Sequence, residues 1–184
     1  MNFIDYVTLM LINMSAGLLI LGCFLWEDIE KTQRQHWAPA FAVPGVIAAV
    51  CGFAMTFTWP LPGPYNIMYG ETSIMLGLLW LSTSWALAKG WDLWPLGLYA
   101  LLAGAAAILI GIRIINLDLT KTPILSGTGF ILTGLGGIFA LPTLSLPGKI
   151  VWLRRIGTLV MLGAAAIWMC TGYMAYWAHL KPAG

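Results

Sequence analysis

Six apolar runs, each about as long as a membrane is thick, dominate this sequence of 184 residues. A helix needs roughly 20 apolar residues to cross the hydrocarbon core of a bilayer. Short segments that carry charges or prolines separate the runs. We therefore predict membrane spans over residues 6–26, 37–58, 71–88, 93–117, 124–141 and 156–180.

The spans are predicted to be helices. Strands of a membrane barrel are short and alternate between apolar and polar residues, whereas these runs are long and uniformly apolar. A backbone in lipid must satisfy its own hydrogen bonds, which favours a helical bundle. The predicted fold is all-α: one integral membrane domain over residues 1–184, a polytopic bundle with six spans.

Composition excludes several other classes of protein. Apolar residues make up 60% of the chain and charged residues only 9%, against about 25% charged residues in soluble domains. Such a chain is neither a soluble domain nor a disordered segment, and its net charge of +2 provides no basic surface for nucleic acid. Its partner is the lipid bilayer, and its ten Trp and six Tyr suit the two aromatic belts of a membrane protein.

The distribution of Lys and Arg predicts an orientation, because cytoplasmic loops are enriched in these residues. With six spans, both termini lie on one side of the membrane. The loops on the other side carry Lys31, Arg34, Lys89, Lys149, Arg154 and Arg155. The side with the termini carries only Arg113, Lys121 and Lys181. We predict that both termini face outwards, away from the cytoplasm.

A repeated tripeptide suggests an internal duplication. Leu61-Pro-Gly63 precedes the third span, and Leu146-Pro-Gly148 lies 85 residues later, before the sixth. Halves of three spans each, residues 1–90 and 91–184, would be inverted relative to one another, as in many transporters. An ordinary loop tripeptide and generic helix spacing are the alternative explanation.

Small residues and one amide are expected to hold the bundle together. Lipid removes the usual hydrophobic force between helices, so small residues that allow close approach replace it. Asn13, near the middle of the first span, is expected to be an interhelical hydrogen-bond donor, and the hydroxyls of the third span are expected to bond back to their own helix. The predicted small-residue contacts are Gly45, Ala48, Ala49 and Gly52; Ala103, Ala107 and Gly111; and Gly129, Thr133 and Gly137.

Polar residues that cost free energy in a membrane are the candidates for function. Glu71 opens the third span, and Arg113 lies in the last turns of the fourth, on the same predicted side. They could form an ion pair, contact head groups or bind a ligand. The stiff, proline-rich segment nearby adds further polar groups. The candidate ligand-binding residues are Tyr65, Asn66, Tyr69, Glu71, Arg113, Asn116, Asp118 and Lys121.

No catalytic or metal-binding constellation is recognisable in the sequence. His36 and His179 are predicted to lie at opposite membrane surfaces, about 30 Å apart, too far to ligate one haem iron within a chain. The three cysteines are interpreted as buried apolar residues. We therefore favour a non-enzymatic role, and the sequence defines no cofactor.

Several segments resemble a family of small prokaryotic membrane proteins, domain of unknown function 981. The resemblance covers nearly the whole chain, and its most specific part is FTWPLPGPYN at residues 57–66. The other matching segments are GE at 70–71, AKGWD at 88–92, LTKTP at 119–123, TGLGG at 133–137 and TGYMAYW at 171–177. The resemblance implies a six-helix protein of a bacterial or archaeal membrane and implies no activity.

Three kinds of function remain open. The favoured hypothesis is a small-solute transporter, or the solute-binding membrane subunit of one. The second is a redox subunit linked to a quinone or haem, since the many Trp and Met residues offer apolar walls for a flat cofactor. The third is a structural or assembly subunit of a membrane complex, or a homo-oligomer. A membrane enzyme of unrecognised type is a further alternative.

Overall fold

The computed structural model describes residues 6–27, 34–145 and 151–180, and regular structure within these ranges is helical throughout. The predicted six-helix, all-α fold is thereby confirmed. The helices are α1 (Val7–Trp26), α2 (Ala38–Thr58), α3 (Thr72–Lys89), α4 (Trp94–Asn116), α5 (Pro123–Ser145) and α6 (Val151–His179).

Short turns lengthen two of the helices at their starts. A 3₁₀ turn, Arg34–Trp37, leads into α2, and a π turn, Asn66–Glu71, leads into α3. Five helices, α2 counted together with its turn, are long and apolar enough to cross a membrane. The exception is α3, whose 18 residues include several Ser and Thr.

Two predicted span boundaries are wrong. Pro142 was expected to begin a loop, but it lies inside α5, close to its end. Membrane helices tolerate proline because neighbouring groups satisfy the backbone that it disrupts. Arg154 and Arg155 were expected to precede the sixth helix, but α6 already begins at Val151. Long basic side chains reach the membrane surface from within a helix, and the Arg155 guanidinium lies 4.0 Å from the centre of the Trp26 ring.

The helices form a ring. Each helix packs on its neighbours in the chain, and α6 closes the ring by packing on α1. The most extensive contacts are those of α2 with α3, α4 with α5, and α1 with α6. This pairing does not follow two halves of three helices. The predicted inverted halves stay a prediction, and the second Leu-Pro-Gly motif, at 146–148, lies outside the described residues.

The ring has two ends, which we name for what lies there. The terminal end holds the start of α1, the end of α6, and the loops at 59–65 and 117–122. The opposite end holds the turn between α3 and α4, together with the turn before α2. His36 and His179 lie at opposite ends, as the sequence predicted.

Glycines allow the close helix contacts. A Cβ atom on Gly104 would lie 2.4 Å from the Gly134 carbonyl oxygen, and one on Gly111 would lie 2.6 Å from that of Gly127. A Cβ on Gly137 would lie 2.5 Å from the Ala100 carbonyl oxygen. The contact between α4 and α5 therefore excludes even a methyl group. Gly111 and Gly137 were predicted to lie in helix contacts, and both do.

Further predicted small-residue positions lie on α2 and α4. Gly45 and Ala49 pack on α3 as expected, since a Cβ on Gly77 would lie 2.4 Å from the Ala49 nitrogen. Ala103 and Ala107 line an interior cavity, together with Gly104 of the contact between α4 and α5.

A few hydrogen bonds join the helices. The Asn13 amide donates to the Pro44 carbonyl at 2.9 Å, which confirms the predicted interhelical bond between α1 and α2. Thr83 donates back to the Leu79 carbonyl of its own helix, as expected. Ser84 instead donates to the Ala38 carbonyl at 2.6 Å and so links α3 to α2.

Candidate functional site: a lumen inside the ring

The ring of helices surrounds a cavity of about 160 Å³, which we call the lumen. All six helices contribute to its wall, and apolar side chains form most of its surface. One representative from each helix, in chain order, is Leu18, Phe41, Leu76, Ala103, Thr133 and Met161.

The polar groups of the lumen are mostly threonine hydroxyls whose hydrogens are already used. Thr72 donates to the Met68 carbonyl, and Thr133 donates to the Gly129 carbonyl at 2.8 Å. The other two lining threonines, Thr83 and Thr143, bond back to their own helices in the same way. These hydroxyls can therefore offer lone pairs to a solute but no hydrogen without breaking an existing bond.

Arg154 is the charged residue among the described residues that line the lumen. It lies in the first turn of α6, at the opposite end of the ring. Leu144, near the end of α5, and Leu153, at the start of α6, also line that end. The lumen thus reaches the last helical turns at the opposite end.

Towards the terminal end, the lumen stops at aromatic side chains. Trp168 of α6 and Phe130 of α5 line the cavity there and are only 1% and 3% exposed. Their rings meet edge to face with centroids 5.1 Å apart. The Trp168 indole N–H donates to the Thr133 hydroxyl at 3.1 Å.

The aromatic contacts continue from the lumen to the terminal loop. Phe130 packs on Tyr69 with ring centroids 5.8 Å apart, and Tyr69 stacks on Tyr65 at 6.4 Å. The Tyr69 hydroxyl shares a hydrogen bond with Ser126, which also accepts one from Thr120 at 3.2 Å. Side chains from the π turn, α5 and α6 are thereby joined across the ring.

Bulky side chains at mid-depth rest on glycines of other helices. A Cβ on Gly17 of α1 would lie 2.0 Å from the tip of the Trp80 indole, which comes from α3. Met161 occupies the equivalent space over Gly136. A similar aromatic group, Phe24 against Phe41, lines the half of the lumen near the opposite end, with centroids 5.6 Å apart.

The structure places the predicted ligand-binding residues outside this lumen. Glu71 and Arg113 are both exposed, and within the described ranges no ion pair joins them. The exposed residues at the terminal end also include Asn116, Asp118 and Lys121. Tyr65 and Tyr69 are half-buried, and Tyr69 alone approaches the lumen, through its contact with Phe130. Ligand binding by this group stays a prediction.

The Asn66 side chain is engaged in local structure. It is fully buried, its amide oxygen accepts from the Leu61 backbone N–H at 3.1 Å, and its amide nitrogen donates to the Leu61 carbonyl. The side chain thus holds the proline-rich loop against the start of the π turn.

The lumen residues were missed by sequence reasoning because they are apolar. Leu76 lines the cavity, whereas Leu78, two residues later, is exposed on the outside of the bundle. Both are leucines in a uniformly apolar helix. The nearest sequence signal was the pair of glycines, Gly129 and Gly136, against which Trp168 and Met161 pack.

The fold and the lumen define a class: a polytopic α-helical membrane protein whose six helices enclose an apolar interior. The family model described as "Protein of unknown function (DUF981)" matches residues 1–182, and the chain belongs to this family. No curated protein matches the sequence.

The fold is similar to that of one solved structure, the urea channel of Helicobacter pylori in its closed state. The TM-score is 0.69, and the alignment covers 95% of this chain and 100% of the channel chain. Sequence identity is 15%, so the likeness concerns the fold.

Proposed function

We propose that this protein is a channel for small uncharged solutes and that the lumen is the path they take. The observation that carries the proposal is a cavity inside the ring, lined by all six helices. Among its described lining residues Arg154 is the charged one, and it lies at one end. The fold shared with a urea channel supports the same class of function. A channel for small uncharged solutes is a narrower form of the small-solute transporter that the sequence predicts.

The chemistry of the wall favours neutral solutes over ions. Moving a charge out of water into an apolar space without a partner costs many kcal/mol, and the hydroxyls of the lumen offer little compensation. An apolar cavity of roughly 150 Å³ holds a molecule the size of benzene. The lumen, at about 160 Å³, therefore suits a solute of a few heavy atoms.

The test is solute uptake into proteoliposomes, measured by stopped-flow light scattering with urea as the first probe. We expect Ala103→Trp to abolish protein-dependent uptake, because Ala103 lines the lumen and the indole would fill it. The matched control is Ala105→Trp, since Ala105 is exposed on the outer side of the same helix. Equal uptake by the two variants, or uptake no faster than in empty liposomes across a series of small amides, would contradict the proposal.

In this proposal, the exposed polar residues at the terminal end form the surface where a solute first binds. Neutralising Glu71 or Arg113 is then expected to raise the solute concentration needed for half-maximal uptake without closing the lumen. Glu71→Gln and Arg113→Gln variants that behave as the parent would limit these residues to contacts with lipid head groups.

A second candidate function is binding of a flat apolar ring such as a quinone, which the aromatic and methionine walls of the lumen also favour. A visible spectrum of the purified protein, oxidised and then reduced with dithionite, tests for haem or flavin, and solvent extraction tests for quinone. A stoichiometric quinone in the extract would favour this candidate. Copurification of another membrane protein would instead favour the assembly-subunit hypothesis.

A further inference from the structure

Among the described residues, the lining of the lumen reaches the last helical turns at the opposite end but stops at aromatic side chains below the terminal end, and this asymmetry locates a barrier. Along α6, Trp168 lies eleven residues before His179, or about 16 Å below the terminal end. Along α5, Phe130 lies seven residues after Pro123, or about 10 Å below it. The lining residues continue from this level to the opposite end.

We propose that an aromatic barrier layer closes the lumen and determines which solutes pass. The barrier layer consists of Tyr69, Phe130 and Trp168. Thr133 is the positioning residue that holds Trp168 in the closed orientation. The inference rests on the proposed function and names the residues that control it.

The geometry of the layer supports a closure across the ring. Tyr69 lies in the π turn that leads into α3, Phe130 in α5 and Trp168 in α6, and α3 and α6 are on opposite sides of the ring. Phe130 is the middle member of the layer: its ring centroid lies 5.8 Å from that of Tyr69 and 5.1 Å from that of Trp168. All three side chains meet through aromatic edges and faces, so the barrier presents no charge to a solute.

Thr133 fixes the orientation of the indole. Its hydroxyl donates to the Gly129 carbonyl at 2.8 Å, which directs a lone pair to the Trp168 N–H at 3.1 Å. Gly129 leaves room for the ring, because a Cβ at that position would lie 3.0 Å from the indole. Rotation of Trp168 away from Phe130 would break this hydrogen bond and open the layer.

Accessibility of a single cysteine tests the barrier without reference to any solute. In a background where Cys23, Cys51 and Cys170 are replaced by Ala, Ala103→Cys places a thiol below the layer. A membrane-impermeant methanethiosulfonate is added to intact cells and, separately, to inverted membrane vesicles, so that each preparation exposes one side of the membrane to the reagent. We expect little reaction from the terminal side in this parent and rapid reaction once Trp168→Ala is added.

Thr133→Val tests the positioning role, because valine keeps the shape of threonine and removes the acceptor. We expect the terminal-side reaction to rise by about fivefold, the change that loss of one ordinary hydrogen bond allows. Trp168→Phe should give a similar rise, and the double variant should add nothing, since both changes remove the same bond. Thr133→Ser retains the hydroxyl and should behave as the parent.

Thr171→Val is the matched control. Thr171 lies in α6 like Trp168 and bonds back to the Ile167 carbonyl at 2.8 Å, but it does not line the lumen. Fast terminal-side reaction in the parent, or an unchanged rate in Trp168→Ala, would overturn the barrier. Terminal-side reaction that appears in Trp168→Ala, together with no solute uptake by any variant, would keep the barrier and reject the channel.

A size series tests selectivity. If the layer selects solutes, Trp168→Ala and Thr133→Val should raise the permeability to N,N′-dimethylurea relative to urea, and Thr171→Val should leave the ratio unchanged. An unchanged ratio in all three variants would remove the selective role from the layer.

Discussion

At the scale of single residues, polar side chains in this protein are used to fix local structure more than to face a solute. Asn66 is the clearest case. Its amide makes two bonds to the backbone of Leu61 and closes the proline-rich loop. Thr72, Thr83 and Thr133 bond back to their own helices. These side chains therefore serve the backbone around them, whether they lie near the terminal loop or line the lumen.

We predict that Asn66→Ala destabilises the protein by about 1–3 kcal/mol, because it leaves the part-buried N–H and carbonyl of Leu61 without their partner. The measurement is thermal unfolding in detergent. Asn116→Ala, a change of the same residue type at an exposed position, should leave the unfolding temperature close to that of the parent. If the two variants unfold alike, Asn66 does not hold the loop, and its predicted role in ligand binding regains support.

At the scale of helices, stability depends on how closely backbones approach. The contact between α4 and α5 places Gly111 against Gly127 and Gly137 against Ala100. We predict that Gly111→Leu and Gly137→Leu separate the two helices and disperse the protein in detergent, because the leucine side chain has no space and overpacking costs about 1–3 kcal/mol or more. Size-exclusion profiles and unfolding temperatures measure the effect.

Ala105→Leu is the control for this contact, since Ala105 lies on the outer side of α4. It should elute as a single peak like the parent. Monodisperse Gly111→Leu and Gly137→Leu variants would mean that this interface tolerates separation and that the ring depends on other contacts.

The helices were predictable from the sequence, and the lumen was not. Length and hydropathy gave six helices, and the small-residue rule correctly placed Gly111 and Gly137 in contacts. The same information could not orient a helix, because lipid and lumen are both apolar and Leu76 and Leu78 satisfy the sequence pattern equally well. Arg154 was assigned to a loop for a related reason: a charge next to an apolar run resembles a boundary, although a long side chain can extend from within a helix.

At the scale of the whole molecule, the asymmetry of the lumen gives the orientation a functional meaning. The Lys and Arg distribution favours a cytoplasmic opposite end and an outward-facing terminal end. With that orientation, the described lining of the lumen would extend to the cytoplasmic end, and the barrier layer would lie nearer the outer surface. A solute that has passed the barrier would then cross about 10–16 Å of the helical bundle and the terminal loops to reach the outside.

We predict that a cysteine at Tyr65 and one at Lys121 both react with an impermeant thiol reagent from the outside of intact cells, because both positions lie at the terminal end. A cysteine at Trp91, in the turn between α3 and α4, should react only in inverted vesicles. The reverse pattern at all three positions would keep the ring but invert the orientation, so that the barrier would lie towards the cytoplasm. Reaction of Tyr65→Cys and Lys121→Cys from different sides would contradict the shared terminal end itself, and with it the ring of helices on which the lumen depends.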